Sequence, residues 1–155
     1  MNQREFAERV TAMQGSLYRV AASYLRGESD RLDAVAEAIA KAWEKRQTLR
    51  DEALFATWMT RILIRVCVDM QRRQKRLIPT DDVAEKQAED EKVTTLREAI
   101  DSLPQKARTM IVLHYMEGYD VREIAKMMGT TKGAVCAGLA RAREKLRAYL
   151  EEDER

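Results

Sequence analysis

Arg61, Arg65, Arg72 and Arg76 fall within about 60° of one another when the chain around them is wound as a helix at ~100° per residue, and Lys75 stands about 40° to the other side. A row of cations at this spacing follows a phosphate backbone. Each phosphate it neutralises releases counterions, which makes such binding salt-sensitive. The alternative is a solvated helix face, although Asp69 at the margin is the stripe's one negative neighbour. Met59, Ile62, Leu63, Val66, Cys67 and Met70 occupy the broad opposite side and are expected to anchor the helix. Phe55 and Trp58 stand where this helix begins. Aromatics there either stack on an unpaired base or serve the core, and the core is the expectation.

A second constellation runs from Asp120 to Arg143, DVREIAKMMGTTKGAVCAGLARAR, with the spacing of a helix, a tight glycine turn and a second helix. Asp120 is placed to N-cap the first helix, with Glu123 three residues on to complete a capping box. Ile124, Ala125 and Met128 form its apolar stripe. Gly129 suits a left-handed helix end, and Thr131 suits the cap of the second helix. Val135, Leu139, Ala142 and Leu146 recur at helical spacing and face inward. Helix-turn-helix units of this design place the second helix in the DNA major groove, against the plainer reading of a helical hairpin.

Other chemistries lack their residues. Cys67 and Cys136 lie far apart with no CxxC partner and no histidine at ligand spacing, so neither a metal site nor a disulfide framework is expected. His114, the only histidine, sits in a core-forming segment without a nucleophile or carboxylate pattern beside it, which points to a structural role. No cofactor motif is present. No apolar run is long enough to span a bilayer, and the N-terminal segment, with Arg4, Glu5, Glu8 and Arg9, lacks a signal-peptide core. A protein of the reducing cytoplasm, without membrane insertion of its own, is the expectation.

The elements that must carry these groups are helices. Six Gly and two Pro in 155 residues, with abundant Ala, Leu, Arg, Glu and Lys, favour an all-α fold. The formal net charge is only +2, but it is unevenly spread. Residues 1–78 hold 15 Lys/Arg against 10 Asp/Glu, residues 79–92 hold 2 against 6, and residues 93–155 hold 11 against 10. The middle segment, PTDDVAEKQAEDEK, has Val83 as its only large apolar residue and reads as an acidic flexible linker. Two small helical domains are therefore expected, a bundle over 1–78 and a helix-turn-helix domain over 93–155.

In the first, a helix is predicted from Phe6 to Leu25, ended by Gly27, with Val10, Met13, Leu17, Val20 and Ala21 inward. A second follows over Asp30–Trp43 with Leu32, Val35, Ala36, Ile39 and Trp43 toward the core, and a third from about Leu54 to Arg76. In the second domain a short helix carries Leu96, Ile100 and Leu103. Pro104 then opens a core helix, with Ser102 as a possible cap, and this helix continues through Ala107, Met110, Ile111 and Leu113 to Met116 and closes at Gly118.

The ordered set DAVAEAIAKAW at Asp33–Trp43, FATWMTRILIRVCVD at Phe55–Asp69, then RRQKR, SLPQKAR and the helix-turn-helix resembles the extracytoplasmic-function (ECF) sigma factors, the compact initiation subunits of bacterial RNA polymerase. The resemblance covers about Leu17 to Leu150. It implies that Asp33, Glu37 and Lys41 contact core RNA polymerase. Ala36 stands where the family usually has glutamine. It implies that Arg61, Arg65, Arg72, Arg73, Lys75 and Arg76 hold the −10 region of promoter DNA as it melts, with Arg65 where asparagine is common, and that the interval Gln47–Ala53 captures a flipped base. The acidic residues Asp81, Asp82, Glu85, Glu89, Asp90 and Glu91 correspond to a linker through the polymerase cleft.

The helix-turn-helix corresponds to the −35 reader, with Arg122, Thr131, Lys132, Cys136, Ala137, Gly138, Arg141, Arg143 and Lys145 as its DNA-facing residues. Cys136, Ala137 and Gly138 replace the family's usual lysine or arginine, serine and arginine. They offer thymine-methyl contact or close backbone approach in place of bidentate base contacts. An anti-sigma factor is the further partner implied. Nucleotidyl transfer belongs to the polymerase, so the chain is not expected to be an enzyme. Two other readings remain: a free-standing operator-binding regulator, which would need a dimer and a symmetric site, and a sigma-like interaction protein with reduced promoter reading.

Overall fold

The computed structural model describes residues 1–77 and 95–153, and the regular structure in both stretches is helical. The acidic segment 79–92, with its carboxylates Asp81 to Glu91, lies outside the described residues, as does the boundary expected at residue 93. Helix α1 (Gln3–Ala12) opens with a complete capping box: the Asn2 side chain accepts from the Glu5 N–H at 2.9 Å, and the Glu5 carboxylate accepts from the Asn2 N–H at 3.3 Å. The single helix predicted over Phe6–Leu25 is in fact two. The chain breaks at Met13, between the weak helix formers Thr11 and Gly15, and α2 runs over Gln14–Tyr24. Gly27 does not close that helix; it is the N-cap of α3 (Glu28–Glu44).

The inward face of α3 also differs from the periodicity reading. Ala34, Ala38 and Ala42, at i, i+4 and i+8, are completely buried, while Val35, Ile39 and Trp43 are half-buried and Leu32 and Ala36 are exposed. The reason is steric. Methyl-sized residues let two helices approach closely, and bulkier neighbours are pushed to the flanks of the contact. The partner is α4 (Phe55–Leu77), which buries Phe55, Met59, Thr60, Leu63, Ile64, Val66 and Cys67 and packs against both α2 and α3. Ile62 and Met70 are half-buried at the edge of that face.

Beyond the acidic segment, Thr95 caps α5 (Leu96–Asp101) by accepting from the Glu98 N–H at 3.1 Å. Ala99 and Ile100 are buried, whereas Leu96, predicted inward, is 53% exposed because it occupies the first turn. Pro104 precedes α6 (Gln105–Ile111) as predicted, but the Ser102 hydroxyl turns back to donate to the Ala99 carbonyl at 2.7 Å, so it closes α5 and does not cap α6. The core helix continues as a π-helical turn, Val112–Met116, and leaves through Gly118 at φ 77°. Helices α7 (Val121–Met128) and α8 (Lys132–Asp153) form the hairpin, joined at Gly129 with φ 65° and ψ 40°. Ile124, Ala125 and Met127 are buried in α7, and Met128, expected in that stripe, is half-buried at its edge.

The two helical domains meet along a seam where α2 and α4 pack on α6, the π turn and α7. Buried apolar side chains run continuously across it. The seam is also laced with polar contacts. Arg19 donates to both Glu117 carboxylate oxygens at 2.7 and 2.9 Å, Arg108 Nε donates to the Ser23 carbonyl at 2.9 Å, and the Ser23 and Thr109 hydroxyls share a hydrogen bond at 2.9 Å. The Thr57 hydroxyl donates to Glu123 at 3.3 Å, and the Thr60 and Tyr119 hydroxyls lie 3.4 Å apart. Burial pushes the Tyr24 phenol up to about 12 and lowers the Arg108 guanidinium from its ordinary value.

Substituting Ala38→Leu inserts bulk into the α3–α4 contact and is expected to cost about 1–3 kcal/mol in urea-denaturation stability. The cysteines provide a second check. Burial pushes the Cys67 thiol up to about 12 while Cys136 is exposed, so native protein should react with a thiol reagent once per chain and a second time only on unfolding.

Candidate nucleic-acid interface

Because α4 turns its apolar side to α2 and α3, its remaining face must carry what cannot be buried. Arg61, Arg65, Arg72, Arg73, Lys75 and Arg76 are all exposed on it. The neighbouring edge of α3 supplies Glu37 and Lys41, which pair with each other at 3.3 Å, and Glu37 also lies 4.0 Å from Arg73. The two predicted sets therefore meet. Glu37, Lys41, Asp69, Arg72, Arg73 and Arg76 line one groove of about 410 Å³ between the helices. A second groove of the same size continues along Lys41, Lys45, Trp58, Arg61, Arg65 and Asp69. Asp33 is exposed on α3, outside both grooves. Phe55 is buried, as expected of a core residue, and Trp58 is half-buried at a groove wall.

Between α3 and α4 the chain makes two 3₁₀ turns, Arg46–Thr48 and Glu52–Leu54. The first is fixed by Arg46, whose guanidinium sits 3.7 Å from the centre of the Trp43 ring and whose Nη1 donates to the Trp43 carbonyl at 2.8 Å. The second is started by Asp51, which accepts from the Ala53 N–H at 3.0 Å. Gln47, Arg50 and Asp51 remain exposed. The Arg46 clamp escaped sequence reading, since a lone arginine three residues after a tryptophan has no distinctive pattern.

In the hairpin, Asp120 accepts from the Glu123 N–H at 2.8 Å. The Glu123 carboxylate receives the Thr57 hydroxyl and not the Asp120 N–H, so the expected box is half made and Glu123 ties α7 to α4. Thr131 accepts from the Ala134 N–H at 3.1 Å and starts α8. The predicted reading residues then separate. At ~100° per residue Lys132, Cys136 and Arg143 share one flank of α8, while Arg141 and Lys145 share the other, with Ala137 between. Arg143 is held in place by a 2.6 Å bond from its Nε to the Tyr115 hydroxyl. Arg122 is exposed on α7.

Gly138 departs from the expectation that it projects with Cys136 and Ala137. It is buried, and a Cβ there would collide with the Met110 sulfur. Its turn of α8 faces α6, and the Met110 thioether occupies the space a side chain at 138 would take. It lies instead on a groove of about 460 Å³ with Lys106, Met110, Arg141 and Lys145. His114 is half-buried, and its Nδ1–H donates to the Tyr119 carbonyl at 2.9 Å, the structural role expected of it.

Residues 9–77 match sigma-70 region 2, and residues 94–146 match sigma-70 region 4. The RNA polymerase sigma factor SigV of Bacillus subtilis is 34% identical over 94% of this chain and 90% of its own length. SigM of Mycobacterium tuberculosis, an ECF RNA polymerase sigma factor, is 32% identical over 86% of this chain and 71% of its own length. The chain belongs to the ECF sigma factors.

Two solved structures share the fold. RpoE from Bartonella quintana, in complex with the anti-sigma factor NepR, superposes with a TM-score of 0.77 at 18% identity, covering 97% of this chain and 99% of that one. CnrH, in complex with the cytosolic domain of CnrY, gives 0.73 at 28% identity, covering 98% and 91%. Among the described residues of this sigma factor no helix is long and apolar enough to cross a membrane.

The Glu123 N–H holds the Asp120 carboxyl below its ordinary value of 3.8. A carboxyl depressed in the folded state stabilises it at neutral pH, and that contribution is lost as pH falls below the ordinary value and through the folded one. Asp120→Asn keeps the acceptor and removes the titration, so the fall in urea midpoint between about pH 5 and about pH 3 should be shallower than in the wild type.

Proposed function

We propose that this sigma factor binds core RNA polymerase through the exposed edge of α3, with Asp33, Glu37 and Lys41 as contacts, and holds promoter DNA of the −10 region along α4. Arg61, Arg65, Arg72, Arg73, Lys75 and Arg76 take its phosphates as the duplex opens. The observation that carries this reading is the shared groove: Glu37 and Lys41 lie against Arg72, Arg73 and Arg76, so a polymerase seated on α3 would bring its DNA directly onto the arginine row. The Gln47–Ala53 loop beside it captures an unpaired base, which must regain by stacking and hydrogen bonds the few kcal/mol that flipping costs.

The hairpin positions DNA at the −35 region. Its phosphate contacts come from Lys132 and Arg143 on one flank, Arg141 and Lys145 on the other, and Arg122 on α7. Cys136 and Ala137 face the groove as small residues, which favours shape and methyl contact over donor-acceptor readout. In this division residues 1–78 and 93–155 are the two working domains and 79–92 the acidic linker between them. The protein acts in the cytoplasm, nucleotidyl transfer stays with the polymerase, and an anti-sigma factor controls it; the RpoE of Bartonella quintana is solved in complex with one.

The test is reconstitution with core polymerase on a genomic promoter library. Opening of a defined promoter set is expected, and failure to open any promoter at any salt concentration would overturn the reading. Arg65→Ala and Arg72→Ala should each lower the slope of log affinity against log salt by about 0.7–0.9, the share of one phosphate.

A further inference from the structure

The loop that joins α3 to α4 has to hold its two ends at a fixed separation if it is to present side chains to a base. Its own turns are too short to do that. The span is bridged by α1. Phe6 stands edge-on to Trp43 at 5.2 Å, just before the loop, and to Phe55 at 5.9 Å, just after it. One turn further along α1, Arg9 forks onto Glu52: Nη1 donates to the Glu52 carbonyl and Nη2 to its carboxylate, both at 3.0 Å. The guanidinium also lies 5.7 Å from the centre of the Phe55 ring.

An exposed ion pair by itself contributes little to stability. The geometry here does something else. By taking a backbone carbonyl and a side-chain oxygen of the same residue, Arg9 fixes both the path of the chain at Glu52 and the rotamer of its side chain. Gln47, Arg50 and Asp51 are left exposed on the loop so held. Phe6 precedes the residues that match sigma-70 region 2, and Arg9 is the first of them.

We propose that α1 is a brace for the base-capturing loop, with Phe6 and Arg9 as positioning residues that set −10 base selectivity without touching DNA. This rests on the reading of Gln47–Ala53 as the base-capturing loop.

The test uses the full chain reconstituted with core polymerase and a promoter library randomised across the −10 and −35 elements, scored by open-complex formation. Arg9→Met keeps the stem and removes the fork. It should reduce selectivity at the flipped −10 base by about three- to tenfold while leaving −35 preferences and core-polymerase affinity unchanged. Glu52→Gln should move the same position in the same direction, and the double variant should add little to either single one. Arg9→Lys, which retains charge without the fork, should recover only part of the selectivity.

Unchanged −10 selectivity in both Arg9→Met and Glu52→Gln would overturn the proposal, as would an equal loss at every promoter position, which is the signature of a chain that is merely less folded. Gln47→Ala and Arg50→Ala separate the two levels. If these loop variants shift −10 selectivity and Arg9→Met does not, the brace alone fails; if neither set shifts it, the base-capturing reading of the loop fails as well.

Discussion

The structure depends on the division of one helix into two unlike sides. Helix α4 turns Met59, Leu63, Val66 and Cys67 inward, where they are almost wholly excluded from solvent, and keeps six cations outward. Its inner side belongs to more than one neighbour. It receives the alanine stripe of α3 and the face of α2, and it packs against α7 of the hairpin. A cationic row on a lone helix would repel itself and fray. Here the apolar anchorage of the opposite side holds the arginines in line, so the electrostatic surface is a product of hydrophobic burial.

Close approach is the second constraint, and it explains where small residues occur. Ala34, Ala38 and Ala42 permit the α3–α4 contact, and through it the meeting of Glu37 with Arg73. A larger residue at Ala38 would separate the acidic edge of α3 from the arginines of α4. At the seam between the domains the solution is different: hydroxyls, two arginines and carboxylates are interleaved with apolar contacts, and each buried polar side-chain atom among the described residues has a partner.

Much of this was legible in the sequence, and the failures share a physical cause. Helix content, the arginine stripe, the Gly129 turn and the inward row Val135, Leu139 and Ala142 follow from periodicity and capping, which are local. Periodicity centred on large apolar residues sets the helix face by Leu32, Val35 and Ile39 and takes Ala36 with them, whereas tertiary packing selects the neighbouring row Ala34, Ala38 and Ala42. The capping box at Asp120 was half right because Glu123 had a distant competitor in Thr57. The grip of Arg9 on Glu52 spans 43 residues and has no local trace at all. Gly138 was misplaced because a glycine carries no polarity by which to assign its face.

That glycine has a consequence for how this protein diversifies. The Cα of Gly138 faces the thioether of Met110. A side chain at 138 therefore has to displace the flexible end of Met110, and shortening Met110 alone opens a void in the core of the same domain. The two positions are therefore coupled through one side-chain contact. Cys136 and Ala137 are exposed, so changes there leave the packing of the recognition helix alone, whereas a change at 138 is felt first by the thioether of Met110.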